Sequence, residues 1–255
     1  EGGQLVGGNR RFPPAREVIN MGEPIPRIKT YIQKLDEVMD GGIPTNNIVI
    51  VAGMPGTMKS SLIFSIFYNN ALEYGKKAVY FTLEQSRESL IRQMTSLGYI
   101  YEKVKDKITI VDMGTLRKNL DTKAKGVSWL EVFKMYAQTL KTKENYDLLA
   151  VDSLPVFEAL SYMKNKREDM FYFMESIREL NVTAFLITEV SQSTEEVTEE
   201  AYLADGVIKL LKERTGAIST QRRIVIDKMR NTNHSTDYYT LLFKDGRFQI
   251  TQTLA

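Results

Sequence analysis

The chain of 255 residues contains no cysteine and one histidine. Without thiols there is no disulfide framework and no thiolate metal site, and one imidazole cannot build a histidine-based zinc centre. The missing cysteine agrees with a reducing, cytoplasmic setting. An excess of charge of one sign is also lacking: 34 basic residues meet 32 acidic ones, a net +2. That balance leaves no global field for holding nucleic acid. No apolar run approaches bilayer length, and no signal peptide opens the chain. The first residue is Glu1, so an upstream domain of a longer chain is one expectation. What is present, 43% hydrophobic and 26% charged residues, suits one large α/β domain with a sizeable core.

Residues 1–25 read as a flexible tail or linker, glycine- and proline-rich through Gly2, Gly3, Gly7, Gly8, Pro13, Pro14 and Pro24. A single domain is expected over residues 26–255. Leu35, Val38 and Met39 space as a short amphipathic helix stopped by Gly41-Gly42. Strands and helices then alternate. Ile48-Val49-Ile50-Val51 is apolar throughout, as in a strand buried on both faces of a parallel sheet. A helix is predicted over 59–74, a strand over 78–83, a helix over 86–98 and a strand over 108–111. Further helices are predicted over 129–141 and 169–180, and strands over 148–151 and 184–188. Such alternation implies βαβ units around a mostly parallel sheet. After about Ile208 the strands at 224–229, 238–243 and 247–250 follow without helices, with Asp245-Gly246 as a hairpin turn. They predict an antiparallel extension at one sheet edge.

The strand–helix junction reads Gly53-Met54-Pro55-Gly56-Thr57-Met58-Lys59-Ser60-Ser61. This is the setting and spacing of a phosphate-binding P-loop: backbone N–H groups and a helix N-terminus supply unsatisfied donors at the positive end of a dipole. Lys59 would meet the β- and γ-phosphates, and the Ser60 hydroxyl would ligate Mg²⁺. Met58 stands where the pattern has glycine, which adds bulk and, if the position needs a glycine conformation, strain. Asp152 ends the apolar strand at 148–151 and can face Ser60 across the same cation. Glu84 follows the strand at 78–83. A carboxylate there can polarise an attacking water, the reading that the P-loop favours; the alternative is an acid favoured by the dipole of the next helix.

In this order, these residues resemble the KaiC family of the RecA superfamily. The resemblance runs from about Ile28 to Ile250. Its pieces are Leu35-Asp36-Glu37-Val38-Met39-Asp40-Gly41-Gly42-Ile43-Pro44, the P-loop, Leu83-Glu84-Gln85-Ser86, Val151-Asp152-Ser153, Ile187-Thr188-Glu189 and Lys228-Met229-Arg230-Asn231-Thr232-Asn233-His234. It implies a RecA-like P-loop NTPase core using ATP and Mg²⁺, assembled as a homo-oligomeric, hexameric ring with ATP between neighbours. Protein partners would meet the tail or a ring face. The resemblance further implies that Lys228 and Arg230 are offered to the ATP of the adjacent subunit, with Met229, Thr232 and His234 beside it. Thr188 matches a position that senses the γ-phosphate, and Ser96 one near the base. Without it, Lys228 and Arg230 read as alternate solvated basic residues on a strand. Two departures from the family pattern, Met58 and the single carboxylate of Glu84-Gln85, fit a slow ATPase or a nucleotide switch. KaiC itself joins two such domains and can phosphorylate itself; autokinase activity is possible for one domain but not safely inherited by it.

A DNA recombinase paralogue would share this core but needs basic and aromatic loops toward the ring axis. Residues 190–200 instead carry Glu195, Glu196, Glu199 and Glu200 and no basic residue. Arg117, Lys118, Lys123 and Lys125 form a basic stretch, expected as a loop, that could meet nucleic acid; a solvated charge run is the commoner case. A module that binds ATP only to set its assembly is the remaining alternative.

Overall fold

The structure is a computed structural model and describes residues 24–120, 128–161, 163, 165–190, 200–216 and 218–252. The expected tail thus lies almost wholly outside the described residues. Two short strands, β1 (Arg27–Ile28) and β2 (Ile43–Pro44), pair antiparallel and bracket a 3-10 turn at Glu37–Met39. The main chain then runs β3 (Ile48–Gly53), α1 (Lys59–Tyr74), β4 (Ala78–Thr82), α2 (Arg87–Ser96) and β5 (Ile108–Asp112). Next come α3 (Met113–Leu120), α4 (Trp129–Glu144), β6 (Leu148–Asp152), α5 (Leu154–Ser161) and α6 (Lys166–Arg178). The final elements are β7 (Thr183–Glu189), α7 (Glu200–Leu203), β8 (Gly206–Thr215), β9 (Ser219–Met229), β10 (Tyr239–Lys244) and β11 (Arg247–Gln252).

Nine strands form one sheet in the order β11-β10-β9-β8-β3-β7-β6-β4-β5. The six strands from β8 to β5 are parallel, and β9 to β11 add antiparallel strands at one edge. The apolar run of β3 is explained by its two neighbouring layers. Val49 and Val51 pack with Leu62, Phe64 and Phe67 of α1. Ile48 and Ile50 face the other way, into a core shared with Phe133 of α4, Phe157 of α5 and Phe173 of α6. Alternation of side chains makes both sets necessary. Each such fully buried side chain contributes roughly 1.5–3 kcal/mol.

Several elements went unforeseen. β8 begins apolar but ends in Lys212-Glu213-Arg214-Thr215, so its second half carries no buried-strand pattern. β9 starts earlier than expected for the same reason. α5 follows β6 directly, with Pro155 in its first turn, where no N–H is missed. The expected basic loop is corrected: Arg117 and Lys118 lie in α3, because Asp112 accepts from the Thr115 amide and hydroxyl and starts a helix there. Lys123 and Lys125 lie outside the described residues. The Asp245-Gly246 turn is present, with φ of 51° and 74°, the paired positive values of a tight hairpin.

Candidate functional site

The carboxyl ends of β3, β4, β6 and β7 converge on the turn from β3 into α1. Geometry requires one glycine of that turn and favours a second. A Cβ on Gly53 would lie 2.4 Å from the Leu210 carbonyl oxygen, and Gly56 has φ +74°. Thr57 is fully buried and donates its hydroxyl to the Met54 carbonyl at 2.8 Å, pinning the loop. Met58 precedes α1 with φ 74° and ψ 28°, in the left-handed region. The expected strain is therefore real: a non-glycine residue there costs roughly 1–2 kcal/mol. Its side chain offsets part of that by packing against the α1 face of the core. The first amides of α1 have no intrahelical acceptor and point at the loop's concavity with the positive end of the helix dipole.

Lys59 is buried and donates to the carbonyl oxygens of Gly53 at 2.8 Å and Met54 at 3.2 Å. Glu189, at the end of β7, lies 3.8 Å from its ammonium. Burial lowers the Lys59 pKa, while the carboxylates of Glu189, Asp152 and Glu84 pull it back up. Across the pocket Asp152 is only 3% exposed and accepts a 2.6 Å hydrogen bond from the buried Tyr80 hydroxyl. Burial raises the Asp152 pKa; hydrogen bonds from Tyr80 and Ser60 oppose the rise. The peptide joining Asp152 to Ser153 is cis, and the Ser153 hydroxyl donates to Glu84. Glu84 is thereby tethered beside Asp152.

One pocket is lined by Pro55, Gly56, Met58, Lys59, Ser60, Ser61, Glu84 and Asp152 together with Gln93, Ile187 and Glu189. The structure thus brings together the P-loop, both expected carboxylates and the expected hydroxyl. The residues fit a polyphosphate with a hard cation. First-turn amides and Lys59 suit the phosphates, while Ser60 and Asp152 suit a cation that takes further oxygens from the ligand. Among the described residues no group of three or more His, Asp or Glu could hold a metal ion.

Other expected site residues lie elsewhere in the same chain. Thr188 is buried, and strand alternation turns it to the face opposite Ile187 and Glu189. Ser96 is exposed at the end of α2 and donates to the Gln93 carbonyl. Met229 pairs with Gly206, which is level with Val49, four positions before Gly53. The end of β9 therefore lies about 13 Å back from the P-loop measured along the strands, and two strands to the side, at the amino ends of the parallel strands. There the Lys228 ammonium caps α7, donating to the carbonyls of Ala201 and Ala204 at 3.2 and 2.6 Å. Burial, then the charge of Arg230, lowers the Lys228 pKa. Arg230 is half exposed and paired with Asp205 at 2.9 Å. Met229 is buried in the core, Thr232 accepts from Arg27 at 2.9 Å, and the His234 ring meets the Ser235 carbonyl at 3.1 Å. The Asn233 amide donates to Asp40 at 2.6 Å, so the first and last pieces of the sequence resemblance touch in space. Sequence reasoning missed Tyr80, Gln93, Glu189 and Lys212. Lys212 donates to the Pro55 carbonyl at 2.7 Å from β8, a strand that was itself unforeseen. Glu189 alone had a signal, as the last residue of Ile187-Thr188-Glu189.

Sheet order and phosphate loop together define a P-loop nucleotide-binding protein of RecA type. A family model of the KaiC ATPase matches residues 28–254, and the chain belongs to that family. It is 28% identical over 242 residues to a UPF0273 protein of Pyrobaculum aerophilum, covering 89% of this chain and 83% of that one. Identity to the circadian clock oscillator protein KaiC of Picosynechococcus sp. is 24% over 240 residues, 89% of this chain but 46% of the relative. The chain thus spans about half the length of the clock proteins it matches. Among solved structures, a KaiC-like protein from the hyperthermophilic archaeon Pyrococcus horikoshii OT3 superposes with a TM-score of 0.76 at 28% identity, covering 89% of this chain and 100% of that one. As a KaiC-type P-loop protein, the chain is an ATP-binding member of the RecA superfamily. Among the described residues no helix is long and apolar enough to cross a membrane.

Proposed function

We propose that this protein binds ATP with Mg²⁺, hydrolyses it slowly, and assembles as a hexameric ring in which the nucleotide acts as a switch. The observation that carries this reading is the meeting of Lys59, Ser60, Asp152 and Glu84 around one P-loop pocket. Lys59 would release its two loop carbonyls to meet the β- and γ-phosphates. Ser60 and Asp152 would hold Mg²⁺, which when bound neutralises charge on the phosphate oxygens. Glu84 would orient the attacking water and accept its proton, with the Ser153 hydroxyl keeping the carboxylate in place.

Slow turnover is favoured by Met58, a non-glycine residue in a left-handed position that lines the pocket. A shared site is favoured by the position of Lys228 and Arg230. They lie at the wrong end of the sheet to reach the P-loop of their own chain. The P-loop half brings Lys59, and further cations would neutralise charge that develops during transfer. In a ring the β9 end of one subunit would supply them to the next.

The test is mass measurement with and without Mg-ATP, with phosphate release followed on the same sample. The reading predicts ATP-dependent growth to a closed ring and slow, Mg²⁺-dependent release. A monomer that neither binds nor hydrolyses ATP would sink it.

A further inference from the structure

Lys212 approaches the phosphate loop from β8. That strand pairs with β3 through Leu210 and Gly53 and then continues to Thr215, past the end of β3. Ile208 and Leu210 face α1 and share its core with Leu62 and Phe64. Two residues further on, alternation sends Lys212 to the same face. By then β3 has ended and the loop has begun, so the side chain overhangs the loop. Its placement is tight, because the Leu210 carbonyl is in backbone contact with Gly53. The Lys212 ammonium donates to the Pro55 carbonyl at 2.7 Å and lies 2.7 Å from where a Cβ on Gly56 would be. It is near enough to Lys59 to push that lysine's pKa down.

An ammonium carries three donors, and Pro55 takes one. Among the described residues no carboxylate forms an ion pair with Lys212. Bracing a loop needs only a neutral donor. Glu189, Asp152 and Glu84 offset the charge of Lys59, whereas no carboxylate among the described residues is paired with Lys212, so its charge is left for an anion that enters between the two lysines. Lys59 is the residue that meets the terminal phosphates, so a cation within electrostatic reach of it serves the same end of the ligand.

We infer that Lys212 is a phosphate-contacting residue of this chain's own nucleotide site and favours a triphosphate over a diphosphate. The inference rests on the function proposed above and adds to it a residue in cis. The test measures ATP and ADP dissociation constants, each with Mg²⁺, for the wild-type full chain, Lys212→Gln and Lys212→Arg. Lys212→Gln keeps an N–H donor and removes the charge; Lys212→Arg keeps the charge. The expected result is ATP binding weakened roughly ten- to a hundredfold in Lys212→Gln, the scale of one lost charge-assisted hydrogen bond. ADP affinity should change less than threefold, and Lys212→Arg should stay near wild type. Unchanged ATP affinity in Lys212→Gln would reduce Lys212 to a loop brace and overturn the inference. Equal losses for ATP and ADP would overturn it too, because no discrimination would remain. If the wild type binds neither nucleotide, the proposed function itself fails, a result distinct from both.

Discussion

Replacing Asp152 by asparagine should make the protein more stable and less active at once. The carboxylate is 3% exposed, and the nearest ammonium, on Lys59, is committed to two carbonyls. Asparagine is nearly isosteric, and its carbonyl can still accept from Tyr80, so the change removes charge without opening a cavity. Withdrawing a carboxylate from water costs several kcal/mol, and charge-assisted bonds from Tyr80 and Ser60 return about 1.5–3 kcal/mol each. Because the Asp152 pKa is raised, burial outweighs what those bonds return, and the surplus relieved by Asp152→Asn is on the order of 1–2 kcal/mol. For a chain of this size each kcal/mol moves Tm by roughly 2–4 °C, so a rise of about 2–8 °C is expected. The sign of the pH dependence follows from the direction of the pKa shift. Burial raises the Asp152 pKa, so the penalty is fully present only above that elevated pKa, where the folded protein carries the ionised group. It fades as pH falls through the elevated pKa and vanishes below the ordinary carboxylate value of about 3.9. Thermal melts of both proteins from pH 7 to pH 4 should therefore converge on acidification. Mg²⁺-dependent hydrolysis should be lost in the mutant throughout. A mutant that melts lower than wild type at pH 7, or a gap independent of pH, would refute the argument.

The other predictions concern the loop and the shared site. Lys59→Ala should abolish or strongly weaken ATP binding with the circular-dichroism spectrum unchanged, and retained affinity would remove the P-loop assignment. Met58→Gly removes about 1–2 kcal/mol of left-handed strain but adds about 0.5–1 kcal/mol of backbone entropy and loses core contact; stability should change little while phosphate affinity or turnover rises. No gain in either would mean that Met58 is not what slows the site. Arg230→Ala should keep ATP binding and lose hydrolysis by as much as ~10³-fold. Mixing it with Glu84→Ala subunits should restore part of the activity, since some interfaces then carry both groups; activity at the single-mutant floor after proven subunit exchange would count against a site built in trans.

The sequence carried the layered α/β core because burial on two faces leaves a local mark. The apolar run at 48–51 is typical of an interior parallel strand, and Asp245-Gly246 is a hairpin turn signal. The P-loop was legible for a related reason: a phosphate cradle is made by consecutive residues, so Gly53 to Ser60 appear in one stretch. Asp152 and Glu84 were legible because each follows a strand whose carboxyl end faces the loop. Tertiary structure decided the rest. Tyr80 sits mid-strand among apolar residues, and only the β4–β6 pairing shows that its hydroxyl holds Asp152. Lys212 belongs to a half-strand with no periodic signature, and only the Leu210–Gly53 register places it over Pro55. The order of motif residues along the chain likewise could not say that Lys228 and Arg230 lie at the amino end of the sheet. That depends on β9 running antiparallel to β8, a pairing set by contacts between distant strands rather than by any local preference.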